Sequence, residues 1–455
     1  MLLHFRACLG LAFAFSPIWA QERFIPFDGS ATELPCQEAK GQVFQVQAWT
    51  QVTGSERLPD GRNRLKGFVR VALFGGEEAF TLFCPLIRID GKTDKMYSRL
   101  TLNPNSRCFP ISVCEYPVHA DMEQLKVVLP DGTEYPVPSL PSDPKTIAVV
   151  GQTGCPQGSC SGGDWHFAEV AEDLARQNPA LVFHLGNARK TQAPCESATC
   201  TDTWQAWLYE FFAPAQALLA TAPLVMVRGE GETCDLGGNG WFYLFHPDRA
   251  SNNNQRITCA TDPPATHAFT APWYFDLGQG EASHRFLVVD SANGREKSSE
   301  AHFEVTLDRL LSFPNPVSPQ NTTLLTHLPL WSTEGRTWGS PLESGFAKSL
   351  TTTKEIRFTR IQSGGLPAYH ALLPSAKERV HQWIIGHGGS FPVTMDDEEK
   401  LSKQEKDLLL WRYPYAGYDL WQANPEDPTG WSLVHRFLTD KGPTKQWRTL
   451  VAPAK

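Results

Sequence analysis

Short apolar segments that alternate with helical patterns constrain this chain more than any other feature. Three of them, at 146–150, 181–185 and 224–228, run through apolar residues on both faces. Between the first two, apolar residues at 167–174 recur at helical spacing. Strands that are apolar on both faces belong to sheets covered on both sides. The alternation therefore predicts an α/β domain, with further strands at 285–290, 323–326 and 382–385.

The N-terminal part has a different, β-rich pattern. Apolar runs at 43–49, 67–74, 80–89 and 125–129 are separated by Asp-Gly pairs at 60–61, 90–91 and 131–132, which are typical of hairpin turns. A proline-rich stretch at 136–144 reads as a linker. We expect a small β-sandwich-like domain over 21–143 and an α/β domain over 144–455. In the second, 204–219 predicts a helix interrupted at Pro214, and the charged stretch 396–412 predicts a surface helix.

The first 20 residues have the layout of a secretory signal peptide, with a weakly positive start, a short apolar run and Ala20 at the cleavage edge. We expect a soluble exported protein, periplasmic or secreted, that does not associate with a membrane after cleavage. The formal net charge of −8 gives no basic footprint for nucleic acid.

Cysteine usage agrees with an oxidising compartment. Loss of Cys8 with the signal leaves 10 of the 11 cysteines, an even number that favours disulfides. Candidate local pairs are Cys155 with Cys160, Cys195 with Cys200, and Cys234 with Cys259; Cys36, Cys84, Cys108 and Cys114 remain for the N-terminal region, with their connectivity open.

Polar residues follow the buried strands at the point where each strand ends. They are Gln152, Gly186-Asn187, Gly229-Glu230-Gly231-Glu232, His327 and Gly386-His387-Gly388-Gly389. The carboxyl ends of strands in an α/β sheet converge on one crevice, the usual site location for this architecture. A convergent set of Asn, Glu and His side chains is a candidate metal site.

The order of these motifs resembles the calcineurin-like metallophosphoesterase family, in its bacterial exported type. The resemblance runs from about Thr146 to the end of the chain and includes non-catalytic stretches at 151–155, 204–214, 240–242, 290–292 and 415–421. It implies a core of two packed β-sheets flanked by helices, with a two-metal centre at the strand ends. A β-domain before such a core is similar to the arrangement in purple acid phosphatases.

The ligand pattern departs from that family. Its Asp-x-His is Gln152-Thr153-Gly154 here, its Gly-Asp is Gly186-Asn187, its Gly-Asn-His-Glu is Gly229-Glu230-Gly231-Glu232, and its final Gly-His-x-His keeps only His387. By the resemblance, one metal loses every charged or imidazole ligand. The other would be held by Asn187, Glu230, His327 and His387, with Glu232 or Asn187 assisting.

Electrostatics opposes a two-metal centre. Two divalent ions ~4 Å apart repel by roughly 16 kcal/mol at an effective dielectric near 20. The neutral Gln152 and Asn187 do not offset that repulsion, which leaves at most one divalent ion, such as Zn, Mn or Fe. In the alternative interpretation, His327 and His387 are strand-end histidines kept for packing, and Glu230 is a loop carboxylate bonded to local amides.

Two functions follow from these residues. The first is a pseudo-phosphoesterase that binds an unknown small-molecule or protein ligand. The second is a weak single-metal phosphoesterase that uses the residual His/His/Glu site, so whether the chain is an enzyme stays open. If the crevice is intact, reversion to the family residues at 152, 187, 230, 231 and 389 is expected to raise its affinity for divalent metals.

Overall fold

The computed structural model describes residues 45–74, 84–99, 107–155, 165–190, 202–248, 259, 270–280, 283–294, 300–314, 322–330, 358, 360–365, 369–372, 381–389, 409–413, 416–424, 427–439, 442–443 and 447–451. The predicted signal peptide at 1–20 and Cys36, Cys160, Cys195 and Cys200 lie outside these ranges. Within them, no helix is both long enough and apolar enough to cross a membrane.

The described strands are numbered in chain order. They are β1 Gln45–Arg57, β2 Asn63–Phe74, β3 Leu86–Ile89, β4 Lys92–Lys95, β5 Tyr97–Ser98, β6 Ser112–His119, β7 Lys126–Val128, β8 Glu134–Pro136, β9 Thr146–Val150, β10 Leu181–His184, β11 Leu224–Met226, β12 Trp273–Leu277, β13 His284–Val289, β14 Thr322–Thr326, β15 Arg360–Ser363, β16 Tyr369–Leu372, β17 His381–Ile385, β18 Leu409–Tyr413, β19 Gly417–Asn424, β20 Asp427–Thr439, β21 Gly442–Pro443 and β22 Trp447–Val451.

The described helices are fewer than the described strands. They are α1 Phe167–Arg176, α2 Trp204–Trp207, α3 Gln216–Thr221, α4 Gly238–Leu244 and α5 Glu300–Leu311, with a π-helical turn at Leu208–Phe212 and a 3-10 turn at Glu230–Glu232.

These strands form three sheets. The largest has the order β21-β20-β19-β9-β10-β11-β1-β2-β6-β5, with β22 paired to β20; the second has the order β12-β13-β14-β15-β17-β16-β18; and the small third sheet is β4-β3-β7-β8. Strands β9, β10 and β11 are parallel, and so are β13, β14, β15 and β17. Each large sheet therefore brings the carboxyl ends of its parallel strands to one edge.

Alternate residues of the central strands face different cores. In β9, Ala148 and Val150 pack with the helix-side cluster that contains Phe167 of α1, while Ile147 and Val149 face the second sheet. On the far face of the second sheet, a third cluster includes Leu310 of α5. The layers are thus helices, sheet, sheet and helix. This confirms the predicted α/β fold of two packed sheets flanked by helices.

Several sequence expectations match the observed elements closely. Strand β9 has the predicted bounds, and the helical segment at 204–219 is interrupted around Pro214, between the π-helical turn and α3. The Asp90-Gly91 pair forms the turn between β3 and β4 with positive φ at both residues, 49° and 81°.

The helix expected over 396–412 is wrong at its described end. Residues 409–412 belong to β18, which pairs antiparallel with β16 in the second sheet. The sequence there is Leu-Leu-Trp-Arg, whose bulky side chains also suit a strand, so the pairing partner decides its conformation. The remainder, 396–408, lies outside the described residues.

Disulfides are present as expected. The predicted Cys234–Cys259 pair is confirmed, with Cα atoms 5.4 Å apart, and Cys84 pairs with Cys114 from the group whose connectivity was open. Cys108 and Cys155 are also disulfide-bonded. The predicted pairings of Cys155 with Cys160 and of Cys195 with Cys200 each involve residues outside the described ranges and stay predictions.

Strands from the N-terminal part continue the sheet of the α/β part. Strand β1 pairs in parallel with β11, at Gln51 opposite Leu224. The chain divides into two compact units, Met1–Pro35 and Cys36–Lys455, the first of which lies outside the described residues. The predicted domain boundary at 143/144 stays a prediction.

Two buried arginines of the N-terminal strands cap helix α4. Arg70 donates to the main-chain oxygens of Leu244 at 2.8 Å and His246 at 2.7 Å, and Arg99 donates to those of Phe242 and Tyr243. Both also bond to the Glu115 carboxylate. Helix ends leave carbonyls without partners, and cations near a C-terminus are stabilising, so this cluster ties α4 to the sheet.

We expect the buried histidines to reduce the stability of the folded protein as the pH is lowered from 7 to 5. Burial, helped by the charge of Arg99, lowers the pKa of His246 from 6.5 to about 3, and burial lowers the pKa of His284 well below 6.5. The unfolded chain therefore takes up protons first. Each histidine removes up to about 1.4 kcal/mol of unfolding free energy per pH unit below the unfolded pKa and above the folded one.

Urea unfolding at pH 7, 6 and 5 measures this slope. The substitution His246→Gln should reduce the change of unfolding free energy per pH unit by up to about 1.4 kcal/mol, the contribution of one proton. The matched control is His119→Gln, at a partly exposed side chain. An unchanged slope in His246→Gln contradicts the interpretation.

Candidate functional site

The strand ends of the two large sheets meet at one place, as the sequence predicts. Gly388 after β17 donates its main-chain N–H to the oxygen of Gly151 after β9 at 2.9 Å, and Gln152 donates to Gly186 after β10 at 3.0 Å. His327 after β14 reaches the oxygen of Leu185 with Nδ1 at 2.8 Å. These contacts define the crevice: the loops that follow β9, β10, β11, β14 and β17.

Within the crevice, Asn187 is bonded through both ends of its amide. Its Nδ2 donates to Oε1 of Gln152 at 2.9 Å, and its Oδ1 accepts the main-chain N–H of Gly231 at 2.6 Å. Gln152 and Asn187 both have left-handed backbones, with φ of 55° and 54°. Strained backbones of this kind persist only where surrounding bonds hold them, and here the two side chains hold one another.

Glu232 is fully buried and joins two of the loops. Its carboxylate accepts three main-chain N–H groups, from Gly229 at 2.7 Å, Arg189 at 2.9 Å and Asn187 at 3.0 Å. Burial raises the pKa of Glu232, while the bond from Arg189 opposes that shift. The carboxylate is therefore used as a cross-link between the β10 and β11 loops. The sequence assigned it only an assisting role in metal binding.

Arg189 is the centre of a buried charge cluster beside these loops. Its guanidinium contacts Asp202 at 2.5 Å and Glu210 at 3.5 Å. Asp202 also accepts from Trp207 Nε1 and the Gly240 N–H, both below 3 Å, and Glu210 accepts from the main chain of Lys190 and Cys155. Burial raises the pKa of both carboxyl groups, and the arginine charge opposes it.

The positions that the resemblance assigns to lost histidines are glycines without room for a side chain. A Cβ on Gly154 would lie 2.6 Å from the Arg189 carbonyl carbon, and one on Gly231 would lie 1.6 Å from the Arg189 oxygen. At Gly389, where φ is +136°, it would lie 2.5 Å from the Phe167 nitrogen. Backbone atoms thus occupy the space that a histidine side chain would need at 231 and 389, and the predicted gain in metal affinity on reversion stays a prediction.

Among the four predicted ligands, the structure brings Glu230 and His327 together. His327 is fully buried, and its Nε2 lies 3.8 Å from a carboxylate oxygen of the partly exposed Glu230. Because a carbonyl oxygen only accepts, Nδ1 carries the proton, and Nε2 has no hydrogen-bond partner among the described residues. Burial lowers the pKa of Lys190, and the charge of Glu230 opposes that shift.

His387 sits in a second group that the sequence did not predict. Its ring centroid is 5.0 Å from that of His435, and His435 Nδ1 lies 2.7 Å from the carboxylate of the buried Asp419. Burial raises the pKa of Asp419, with His435 opposing. Asp419 and His435 are neighbours on paired strands β19 and β20. No local sequence motif predicts this pairing.

These residues do not fit the two-metal centre that the resemblance implies. Both polar atoms of the Asn187 amide form hydrogen bonds within the protein, and the Glu232 carboxylate accepts hydrogen bonds from three main-chain N–H groups. Across the described ranges, no three His, Cys, Asp or Glu side chains are grouped so that they could hold a metal ion. The assignment of Asn187, Glu230, His327 and His387 to a single metal ion stays a prediction.

Comparisons with known proteins give similarity in structure only. No family model matches the sequence, and no curated protein matches it. GAP50, the anchor in the inner membrane complex of Plasmodium, is similar with a TM-score of 0.45 and 12% identity over 69% of this chain and 90% of that chain. A dimetal phosphatase from Danio rerio is similar with a TM-score of 0.37 and 13% identity over 69% of this chain and 100% of that one. These identities and TM-scores are too low to assign a family or a chemistry to this chain.

Glu232→Gln tests the cross-link between the loops. The substitution places an amide donor against N–H groups, and a buried polar group without a partner costs about 1–3 kcal/mol. We expect that loss in urea unfolding and faster hydrogen exchange at the N–H groups of Asn187, Arg189 and Gly229. Glu169→Gln, at an exposed position of α1, is the matched control. Wild-type exchange at all three amides in Glu232→Gln contradicts the assignment.

Proposed function

We propose that this chain is an exported pseudo-phosphoesterase, which keeps the frame of a metal-dependent phosphoesterase and acts by binding a small-molecule or protein ligand. The observation that carries the proposal is the crowding at Gly154, Gly231 and Gly389, where main-chain atoms occupy the space of the histidine side chains the resemblance assigns there. Phosphoryl transfer needs charge stabilisation at the transferring group, and a single such contact contributes about 10²–10⁴ in rate.

The hydrogen bonds of the crevice support the same proposal. Gln152, Asn187 and Glu232 are directed at protein atoms, so the strand-end loops are held together by the protein's own groups. Lys190 interacts electrostatically with Glu230, and its positive charge disfavours binding of a divalent cation there. Export is part of the proposal, and the disulfides Cys84–Cys114 and Cys234–Cys259 support it, because disulfides persist in oxidising compartments.

The alternative is a weak single-metal hydrolase. It is favoured by one observation, the free Nε2 of His327 beside Glu230, with Nδ1 oriented by a backbone carbonyl as in many metal-bound histidines. Two ligands fall short of the three or four that a stable zinc site uses. We therefore place it second.

Metal content and hydrolysis, measured on the same preparation, separate the two functions. Purified mature protein is incubated with Zn, Mn or Fe, desalted, and examined by elemental analysis and with aryl phosphate mono- and diesters. We expect less than stoichiometric metal and no metal-dependent hydrolysis above the buffer rate. Stoichiometric metal together with hydrolysis that His327→Ala abolishes would establish the alternative and overturn the proposal.

The crowding at Gly231 has a direct test in stability. Gly231→Ala forces the Arg189 carbonyl to move, and we expect a loss of more than about 3 kcal/mol, at the upper end of single substitutions. Gly54→Ala is the matched control, because its Cβ would have no neighbour closer than 3.8 Å. If Gly231→Ala is as stable as Gly54→Ala in urea unfolding, the crevice can admit a side chain and the structural basis of the proposal fails.

A further inference from the structure

Strand β15 places polar side chains inside the protein. Arg360 and Gln362 are two residues apart, so they share one face of the second sheet. Arg360 has 3% of its surface exposed and Gln362 none. Cross-strand pairing puts Thr323 and His381 beside Arg360, and Leu325 and Trp383 beside Gln362. Buried polar and charged groups at such positions require partners.

The shared face looks toward the largest sheet. Leu325 and Trp383 belong to the same apolar cluster as Val149 of β9, which lies between the two sheets. The guanidinium carbon of Arg360 is 5.9 Å from the ring centroid of Trp421 on β19. Trp421 in turn meets Trp383 edge to face at 5.9 Å. Arg360 is therefore enclosed in the layer between the sheets, next to two indole rings.

Five polar atoms of this cluster have no hydrogen-bond partner in the ranges that the structure describes. They are Nη1 and Nη2 of Arg360, Nε2 and Oε1 of Gln362, and Nε1 of Trp421. Four of the five are donors, which makes the group complementary to an acceptor. Burial lowers the pKa of Arg360 to about 10, so the guanidinium still carries its charge at neutral pH. In the part of the chain that the structure describes, no carboxylate pairs with it.

We propose that Arg360, Gln362 and Trp421 bind a small inorganic anion, such as chloride, between the two sheets. The donors are a guanidinium, an amide and an indole N–H, groups that bond to a halide without delivering a proton. An anion also compensates the buried charge, whereas water satisfies hydrogen bonds and leaves the charge uncompensated. The enclosure restricts the ligand to a small ion, because Arg360, Gln362 and Trp421 are each at most 3% exposed.

Anion-dependent stability tests the proposal. Thermal unfolding of the full mature protein is followed from 2 to 300 mM chloride, with gluconate, which is too large for the enclosed layer, keeping the ionic strength constant. A ligand that binds only the folded state raises the midpoint in proportion to the logarithm of its concentration, here by up to roughly 3 °C between 2 and 300 mM. Arg360→Met should remove the rise, and Arg62→Gln, at an exposed arginine paired with Asp60, should retain it.

Bromide gives an independent measurement on the wild-type protein, which matters if Arg360→Met fails to fold. In crystals grown with sodium bromide, we expect an anomalous peak within hydrogen-bond distance of the Arg360 guanidinium. Equal unfolding midpoints in chloride and gluconate, or no anomalous peak at Arg360, would show that water alone fills the cluster and would overturn the proposal. The outcome is independent of the proposed function, since the cluster lies away from the metal-ligand positions of the resemblance.

Discussion

The buried contact of Arg189 with Asp202 and Glu210 determines the shape of the crevice. The guanidinium holds the chain just after Asn187, while its two acidic partners also bind α2, α4 and the segment at Cys155. Removing one partner of a buried ion pair costs about 3–5 kcal/mol, because the remaining charge is left without compensation. The same stretch of main chain packs against Gly154 and Gly231. The crevice is therefore closed by an interaction on which the packing of the helices also depends.

This coupling explains why the sequence could predict where the crevice lies but not what fills it. The bounds of β9 and the convergence of the strand ends follow from local apolar patterns and from the parallel arrangement, which short-range periodicity encodes. No sequence motif marks Arg189, Asp202 or Glu210. From the sequence alone they look like ordinary charged surface residues, and only tertiary packing buries them. The pairing of Asp419 with His435 and the capping of α4 by Arg70 likewise arise from strand register between distant segments.

Two of the predicted ligands, His327 and His387, have different neighbours for a related reason. His327 is fixed by a carbonyl of the neighbouring sheet, whereas His387 packs on His435 of β20. Sequence order places both residues at strand ends, yet the direction of each ring depends on contacts made by other elements. The wrong helix at 409–412 has the same origin, because pairing with β16 outweighs the helical pattern of the charged residues before it. Local patterns thus predict position along a strand better than side-chain direction.

A crevice held by hydrogen bonds differs physically from one held by metal ions. Metal binding stabilises a fold only as far as the ion is available, since the stabilisation depends on its concentration relative to its Kd. The bonds of Asn187 to Gln152 and Gly231, and of Glu232 to three amides, lie within the chain and do not depend on any solute. They also offset the left-handed backbones at Gln152 and Asn187, where each non-glycine residue costs roughly 1 kcal/mol. A substitution at Asn187 would break these bonds whether or not a metal ion is present. The strand-end loops at Gln152, Asn187 and Glu232 are therefore held by the chain's own hydrogen bonds.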